Sequence, residues 1–158
     1  MDIRIGNGID IHQFAKGRKL FLGGVHIPSD IGLKGHSDAD VLLHAVTDAV
    51  LGALAWGDIG QWFPDTDEKY KDIDSKILFL EVWRKARKEG WKLVNCDCTL
   101  LAQIPKLQPI MQDITKSLAH LFEAELTQIN VKATTTERLG FVGREEGILA
   151  QATLLITK

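Results

Sequence analysis

The stretch Ile3-Arg4-Ile5-Gly6-Asn7-Gly8-Ile9-Asp10-Ile11-His12 alternates strictly: Ile3, Ile5, Ile9 and Ile11 fall on one side of an extended chain, and Arg4, Asp10 and His12 on the other. A period of two is that of a β-strand, so the segment predicts a half-buried strand with one apolar face and one face that carries chemistry. Next, Leu20 to Pro28 reads as two short strands joined by a Gly23-Gly24 turn. Ser37 has the chemistry of a helix N-cap, with Asp38 and Asp40 in a first turn where the dipole favours negative charge, and Val41, Leu42, Ala45, Leu51 and Leu54 continue at helical spacing. A second helix is predicted from Asp74 or Ser75 to a stop at Gly90, followed by a strand from Trp91 to Gln103. A third helix follows Pro105, with Leu107, Ile110, Met111, Ile114, Leu118, Leu121 and Phe122 forming one apolar stripe. Ile129, Val131 and Ala133 alternate with Asn130, Lys132 and Thr134, and Ile148 to Thr157 supplies a last strand, apolar on both faces. Strands first, then helices interleaved with strands, predict an α/β single-domain sandwich of a mixed β-sheet with helices on one face.

The chain has 158 residues, 45% of them hydrophobic, which suits a single domain over 1–158 with its own core. Lys+Arg number 19 against 21 Asp+Glu, a net charge of −2, so there is no basic excess for a nucleic-acid backbone. The charge-free stretch from Ala49 to Gly57 falls far short of the ~18 apolar residues that span a bilayer. Met1-Asp2-Ile3-Arg4 lacks the pattern of a signal peptide, and the expectation is a cytoplasmic protein with no membrane partner. Cys96 and Cys98 lie two apart in a predicted strand, on one face, without the spacing or further ligands of a metal or redox pair; two buried, reduced thiols are expected.

Asp10 and His12, at i and i+2 of a strand, together with His44 inside the first helix, offer one carboxylate and two imidazoles. That set suits Zn²⁺ with a fourth position open, the arrangement of a catalytic site, although Asp-x-His also suits a solvated strand face. Asp40 and Asp48 each lie four residues from His44, where either could orient the imidazole and either could simply be solvated. Gly6-Asn7-Gly8 lacks the third glycine of a dinucleotide fingerprint, and no phosphate loop with a Gly-Lys-Ser/Thr ending occurs. From Thr134 to Gly147, hydroxyls, Glu137, glycines and Arg144 crowd together, which suits either a diphosphate with a divalent cation or a flexible hairpin. On residues alone, a metal-dependent hydrolase of nucleotide diphosphates and a zinc-stabilised nucleotide-binding module both remain open.

Gly35-His36-Ser37-Asp38-Ala39-Asp40, Gly57-Asp58-Ile59-Gly60, Phe63-Pro64-Asp65-Thr66-Asp67, Ala102-Gln103-Ile104-Pro105-Lys106 and the Thr134 to Gly147 block occur in this order from Arg4-Ile5-Gly6 to the chain's end. In this the sequence resembles the 2-C-methyl-D-erythritol 2,4-cyclodiphosphate synthases. The resemblance implies a homotrimer of α/β subunits with active sites between neighbours. Zn²⁺ would sit at Asp10, His12 and His44, and a second cation, Mg²⁺ or Mn²⁺, on the diphosphate with Glu137. His36 and Ser37 would contact the methylerythritol phosphate end, supported by Asp58, Ile59, Gly60, Phe63, Pro64, Asp65, Thr66 and Asp67. The cytidine would lie against Ala102, Gln103, Ile104, Pro105, Lys106, Leu107 and Gln108 and against Thr134, Thr135, Thr136 and Glu137. Thr135 would be near the reacting phosphates, and His36 and Thr135 would be the catalytic residues. Phe141 and Arg144 would line a threefold cavity for an isoprenoid diphosphate. The resemblance also implies His and Phe in the first glycine block, where this chain has Asn7 and Ile9, a departure that bears on pocket lining. The family's reaction needs no strong general base, because the substrate's 2-phosphate is itself the nucleophile. The cytosol of a bacterium, or a plastid, is the location it implies.

Overall fold

A computed structural model of the chain, describing residues 1–158, is built on a five-stranded mixed sheet in the order β4-β1-β7-β5-β6. The opening strand β1 (Ile3–Lys16) pairs antiparallel with β7 (Gly147–Thr157), from Ile3 opposite Thr157 to Gln13 opposite Gly147. The other edge of β7 meets β5 (Lys92–Leu101) antiparallel, and β6 (Ile129–Thr134) closes that side parallel to β5. The short strand β4 (Ile31–Leu33) pairs with the end of β1. Strands β2 (Leu20–Leu22) and β3 (Val25–Ile27) form the separate hairpin the sequence predicts, and Gly23 and Gly24, at φ 62° and 79°, supply the two left-handed residues of its tight turn.

Helices α1 (Val41–Ala53), α3 (Ser75–Lys88) and α4 (Met111–Phe122), with the one-turn α2 (Ile59–Trp62) and α5 (Gly140–Gly143), complete the mixed α/β fold. The core lies between α1 and the inner face of the sheet, where Leu42, Ala45, Val46 and Ala49 meet Ile148, Ala150, Ala152 and Leu154 of β7 and Cys98 and Leu100 of β5. Cys96 and Cys98 are buried free thiols, as expected. Phe79 and Trp83 of α3 pack edge-on against Phe122 of α4, and the Trp83 indole donates to the Phe122 carbonyl at 3.1 Å.

Two sequence expectations are corrected. The isoleucine face of β1 is the open one: Ile3, Ile5, Ile9 and Ile11 are 58%, 70%, 54% and 50% exposed. The inward face is that of Gly6, Gly8, Asp10 and His12. A Cβ on Gly8 would lie 2.0 Å from the Ala45 carbonyl oxygen, so the missing side chain is what lets α1 cross close above the strand. The N-cap of α1 is Asp40, and Ser37 lies upstream of it. The Asp40 carboxylate accepts from Leu43 N–H at 3.0 Å and from Gly23 and Gly24 N–H at 2.9 and 2.6 Å, tying the helix start to the β2–β3 turn.

Asn7 and Ile9 also share the outward face, where the Asn7 amide donates to Ala152 O and Thr153 Oγ1. The departure at these positions therefore bears on the outer sheet surface and leaves the pocket lining untouched.

Candidate metal centre and adjoining clefts

The alternation of β1 sends Asp10 and His12 inward together, and the close crossing of α1 brings His44 down onto them. Asp10 Oδ2 lies 2.9 Å from His12 Nε2 and 3.1 Å from His44 Nδ1, and the two ring nitrogens are 3.1 Å apart. One donor atom from each residue falls within 4.8 Å of the other two, so the three side chains could hold a metal ion. Burial pushes the Asp10 carboxyl up, but hydrogen bonds and charge from His12 and His44 outweigh it and hold the group well below the usual carboxylate range. His12 moves the other way: burial lowers it, and Asp10 together with the Lys34 carbonyl raises it above the usual imidazole value. The outer nitrogens are also occupied, His12 Nδ1 by Lys34 O at 2.6 Å and His44 Nε2 by Ser75 Oγ at 3.0 Å and Ser37 Oγ at 3.2 Å. Converging inner nitrogens with anchored outer nitrogens suit a metal-binding histidine pair.

Neither Asp40 nor Asp48 orients His44, contrary to one sequence expectation. Asp40 is fully buried at the cap of α1, and the Asp48 carboxylate accepts from Ile59 N–H at 2.7 Å, fastening α2. Burial raises both carboxyls above their usual range, against the backbone hydrogen bonds each accepts.

The cluster forms one wall of a cleft of about 460 Å³, to which His36, Ser37, Ile59, Gly60, Phe63, Pro64 and Asp65 also contribute. Arg18 secures the loop that carries His36, its guanidinium donating to the carbonyls of Leu33 at 3.2 Å and Ser37 at 2.5 Å and to Asp72 at 3.1 Å. Ala39 in that loop takes φ 59°, a left-handed conformation held by the surrounding hydrogen bonds. A second, separate cleft of about 220 Å³ lies where β5 and β6 end, bordered by Ala102, Gln103, Pro105, Lys106, Leu107, Gln108, Thr134 and Thr135. The residues singled out in the sequence that line a cleft thus divide between two places on one chain.

The sequence profile of the YgbB family matches residues 3–157. The chain belongs to the YgbB family. It is 61% identical over 155 residues to the 2-C-methyl-D-erythritol 2,4-cyclodiphosphate synthase of Geobacillus thermodenitrificans (strain NG80-2), covering 98% of this chain and 97% of that protein. Among solved structures, the bifunctional IspDF from Campylobacter jejuni superposes with a TM-score of 0.93 at 46% identity; 98% of this chain is covered, but only 42% of that longer one. A 2C-methyl-D-erythritol-2,4-cyclodiphosphate synthase in a CDP-bound form matches with a TM-score of 0.89 at 36% identity, over 98% of this chain and all of that one.

In this YgbB chain several of the predicted site residues border neither cleft. Asp58 caps α2 by accepting from Gln61 N–H at 2.9 Å, Thr66 follows on the exposed turn, and the Asp67 carbonyl is 3.1 Å from His36 Nε2. Ile104 precedes the cis peptide to Pro105. Thr136 donates to Leu139 O, and Glu137, exposed at φ 51°, accepts from the Thr135 hydroxyl at 3.2 Å. Phe141 lies in α5, and Arg144 just beyond it pairs with Glu146 at 2.8 Å. Conversely, Gly35, Tyr70 and Leu78 line the first cleft, and Ser75 backs His44, without having been singled out. Ser75 reads from sequence only as a helix start; its role depends on α3 meeting α1, which no local pattern encodes.

Proposed function

We propose that this chain converts 4-diphosphocytidyl-2-C-methyl-D-erythritol 2-phosphate into 2-C-methyl-D-erythritol 2,4-cyclodiphosphate with release of CMP, the activity for which its relatives are named. The observation that carries the proposal is the convergence of Asp10, His12 and His44 in a cleft shared with His36 and Ser37, in a chain 61% identical to a named synthase. In the reaction the 2-phosphate oxygen bonds to the β-phosphorus as the bond to the CMP oxygen breaks. The nucleophile is already anionic, so the protein's task is to fold a flexible substrate in line and offset its charge. Zn²⁺ at Asp10, His12 and His44, and Mg²⁺ or Mn²⁺ on the diphosphate with Glu137, would supply that charge compensation. His36 and Ser37 then hold the methylerythritol phosphate end, with Ile59, Gly60 and Phe63 to Asp67 closing over it. The second cleft takes the cytidine, and the Thr135 hydroxyl, hydrogen-bonded to Glu137, faces the reacting phosphates.

The separation of the two clefts supports a homotrimer in which one subunit's metal cluster faces its neighbour's cytidine cleft. The bare isoleucine face of β1 supports it too, because an apolar strip of this kind needs cover in water. On the threefold axis Phe141 and Arg144 would admit an isoprenoid diphosphate, which must displace Glu146 from the guanidinium. Arg144→Ala should abolish isoprenoid diphosphate binding while leaving turnover and trimer intact; retained binding removes that assignment.

Product analysis is the deciding experiment for the activity. CMP together with a cyclic diphosphate supports the cyclase, two open-chain phosphates mean a hydrolase, and no turnover with loss of fold on chelation means a zinc-stabilised binding module. Light scattering that finds an active monomer refutes the shared site.

A further inference from the structure

Ser75, the first residue of α3, is 1% exposed, and its hydroxyl lies 3.0 Å from His44 Nε2 and 2.5 Å from Asp38 Oδ1. We propose that Ser75 and Asp38 are positioning residues for the metal site, forming a relay in which His44 Nε2–H donates to Ser75 and Ser75 donates to Asp38. The inference rests on Asp10, His12 and His44 holding a metal.

The direction of the relay follows from counting protons. His44 Nδ1 faces Asp10 Oδ2 and His12 Nε2, each at 3.1 Å, so a metal held there takes the Nδ1 lone pair and leaves the ring proton on Nε2. That N–H needs an acceptor in a place closed to solvent. Asp38 has only acceptors to offer, so the single hydroxyl proton of Ser75 goes to Asp38 and a Ser75 lone pair is left facing His44. Ser37 Oγ is a weaker candidate: it is 3.2 Å from the same nitrogen and already accepts from Ala39 N–H. Asp38 is itself fixed, with Oδ2 accepting the Ser75 amide at 3.1 Å and Oδ1 the Asp40 amide at 3.1 Å. A carboxylate behind the hydroxyl polarises it, makes the imidazole a better donor to the metal and locks its ring plane. The other histidine is backed by a main-chain carbonyl, at Lys34, so only the His44 side of the site can be altered by a substitution of this kind.

The test is Co²⁺ titration of the apo full-length protein against a competing chelator, reading affinity and the visible d–d bands, with melting temperature as a fold control. Ser75→Ala should weaken Co²⁺ binding about 10–100-fold, the usual loss when the partner of a metal-binding histidine is removed, and shift the bands. Ser75→Thr, which keeps the hydroxyl, should recover most of the affinity. Asp38→Asn should show a comparable loss that does not add to that of Ser75→Ala, since both break one chain. Wild-type affinity in Ser75→Ala overturns the relay, as does a lower melting temperature with unchanged affinity, which would make Ser75 a helix-start residue only. Loss on Ser37→Ala and not on Ser75→Ala overturns it in favour of the other hydroxyl. Failure of the wild type to bind Co²⁺ sinks the metal reading itself, an outcome distinct from failure of the relay alone.

Discussion

The cleft at Asp10, His12 and His44 and the cleft at Gln103, Pro105 and Thr135 stand at different removes from the core. The first is walled by β1, the start of α1 and the start of α3, and the outer nitrogens of His12 and His44 and the Ser75 hydroxyl all have partners inside the protein. The second is formed where β5 and the edge strand β6 run out, and Thr134 and Thr135 along it are exposed. One is held by packing; the other is open, its threonine hydroxyls donating only to neighbours on the same exposed turn. Chemistry that depends on fixed distances belongs in the first, and recognition that tolerates adjustment belongs in the second.

The largest way to break this contrast is Gly8→Ala. The new methyl would meet the Ala45 carbonyl oxygen at 2.0 Å and the Ala49 nitrogen at 2.8 Å, so α1 must retreat from β1 and carry His44 away from Asp10. A loss of at least about 3 kcal/mol is expected in a denaturant melt, together with loss of metal binding. Wild-type stability would mean that the close crossing is not what positions His44.

His12→Ala should leave the fold and remove the metal, lowering CMP release by about 10³-fold or more. Elemental analysis showing a full complement of zinc in that variant would contradict the assignment. Glu137→Gln tests the turn beside the other cleft, where Glu137 accepts from the Thr135 hydroxyl. It keeps shape and loses charge, and a fall of about 10²-fold in turnover is expected with zinc content unchanged. Near-normal turnover at saturating Mg²⁺ would remove Glu137 from the ligand set.

The same contrast governs what could be read from the sequence. Alternation in β1 correctly put Asp10 and His12 on one face, because the period of a strand is a local property. Which face is buried was inverted, since that depends on two glycines admitting the backbone of α1, a tertiary fact. The long helices were legible from their stripes, whereas β4, α2 and α5, of three or four residues, are too short to carry a period. Asp40 was displaced as the cap by Ser37 because its decisive partners, Gly23 and Gly24, lie 17 and 16 residues away. The division of the site into two clefts is invisible in one dimension, where Thr135 and His44 are simply members of one list of polar residues.

The smallest expected effect lies on the outer sheet face beside the second cleft. There Asp97 accepts from Asn130 Nδ2 at 2.7 Å and pairs with Lys132. The hydrogen bond from Lys132, then that from Asn130, holds the Asp97 carboxyl below the usual carboxylate range. A carboxyl with a lowered folded value stabilises the protein at all pH above its unfolded value, and the contribution is lost as pH falls from there through the folded value. Asp97→Asn should therefore cost less than about 1 kcal/mol at neutral pH, the usual scale for an exposed pair. The difference from wild type should shrink as urea melts are taken below the usual carboxylate range, toward the lowered folded value of the wild-type carboxyl. The measurement also tests assembly. If neighbouring subunits cover this face, the pair is desolvated and the neutral-pH loss rises well above that scale, with light scattering reporting a weakened oligomer. A small loss and an unchanged oligomer would place Asp97 in water and remove this part of the sheet face from any subunit contact.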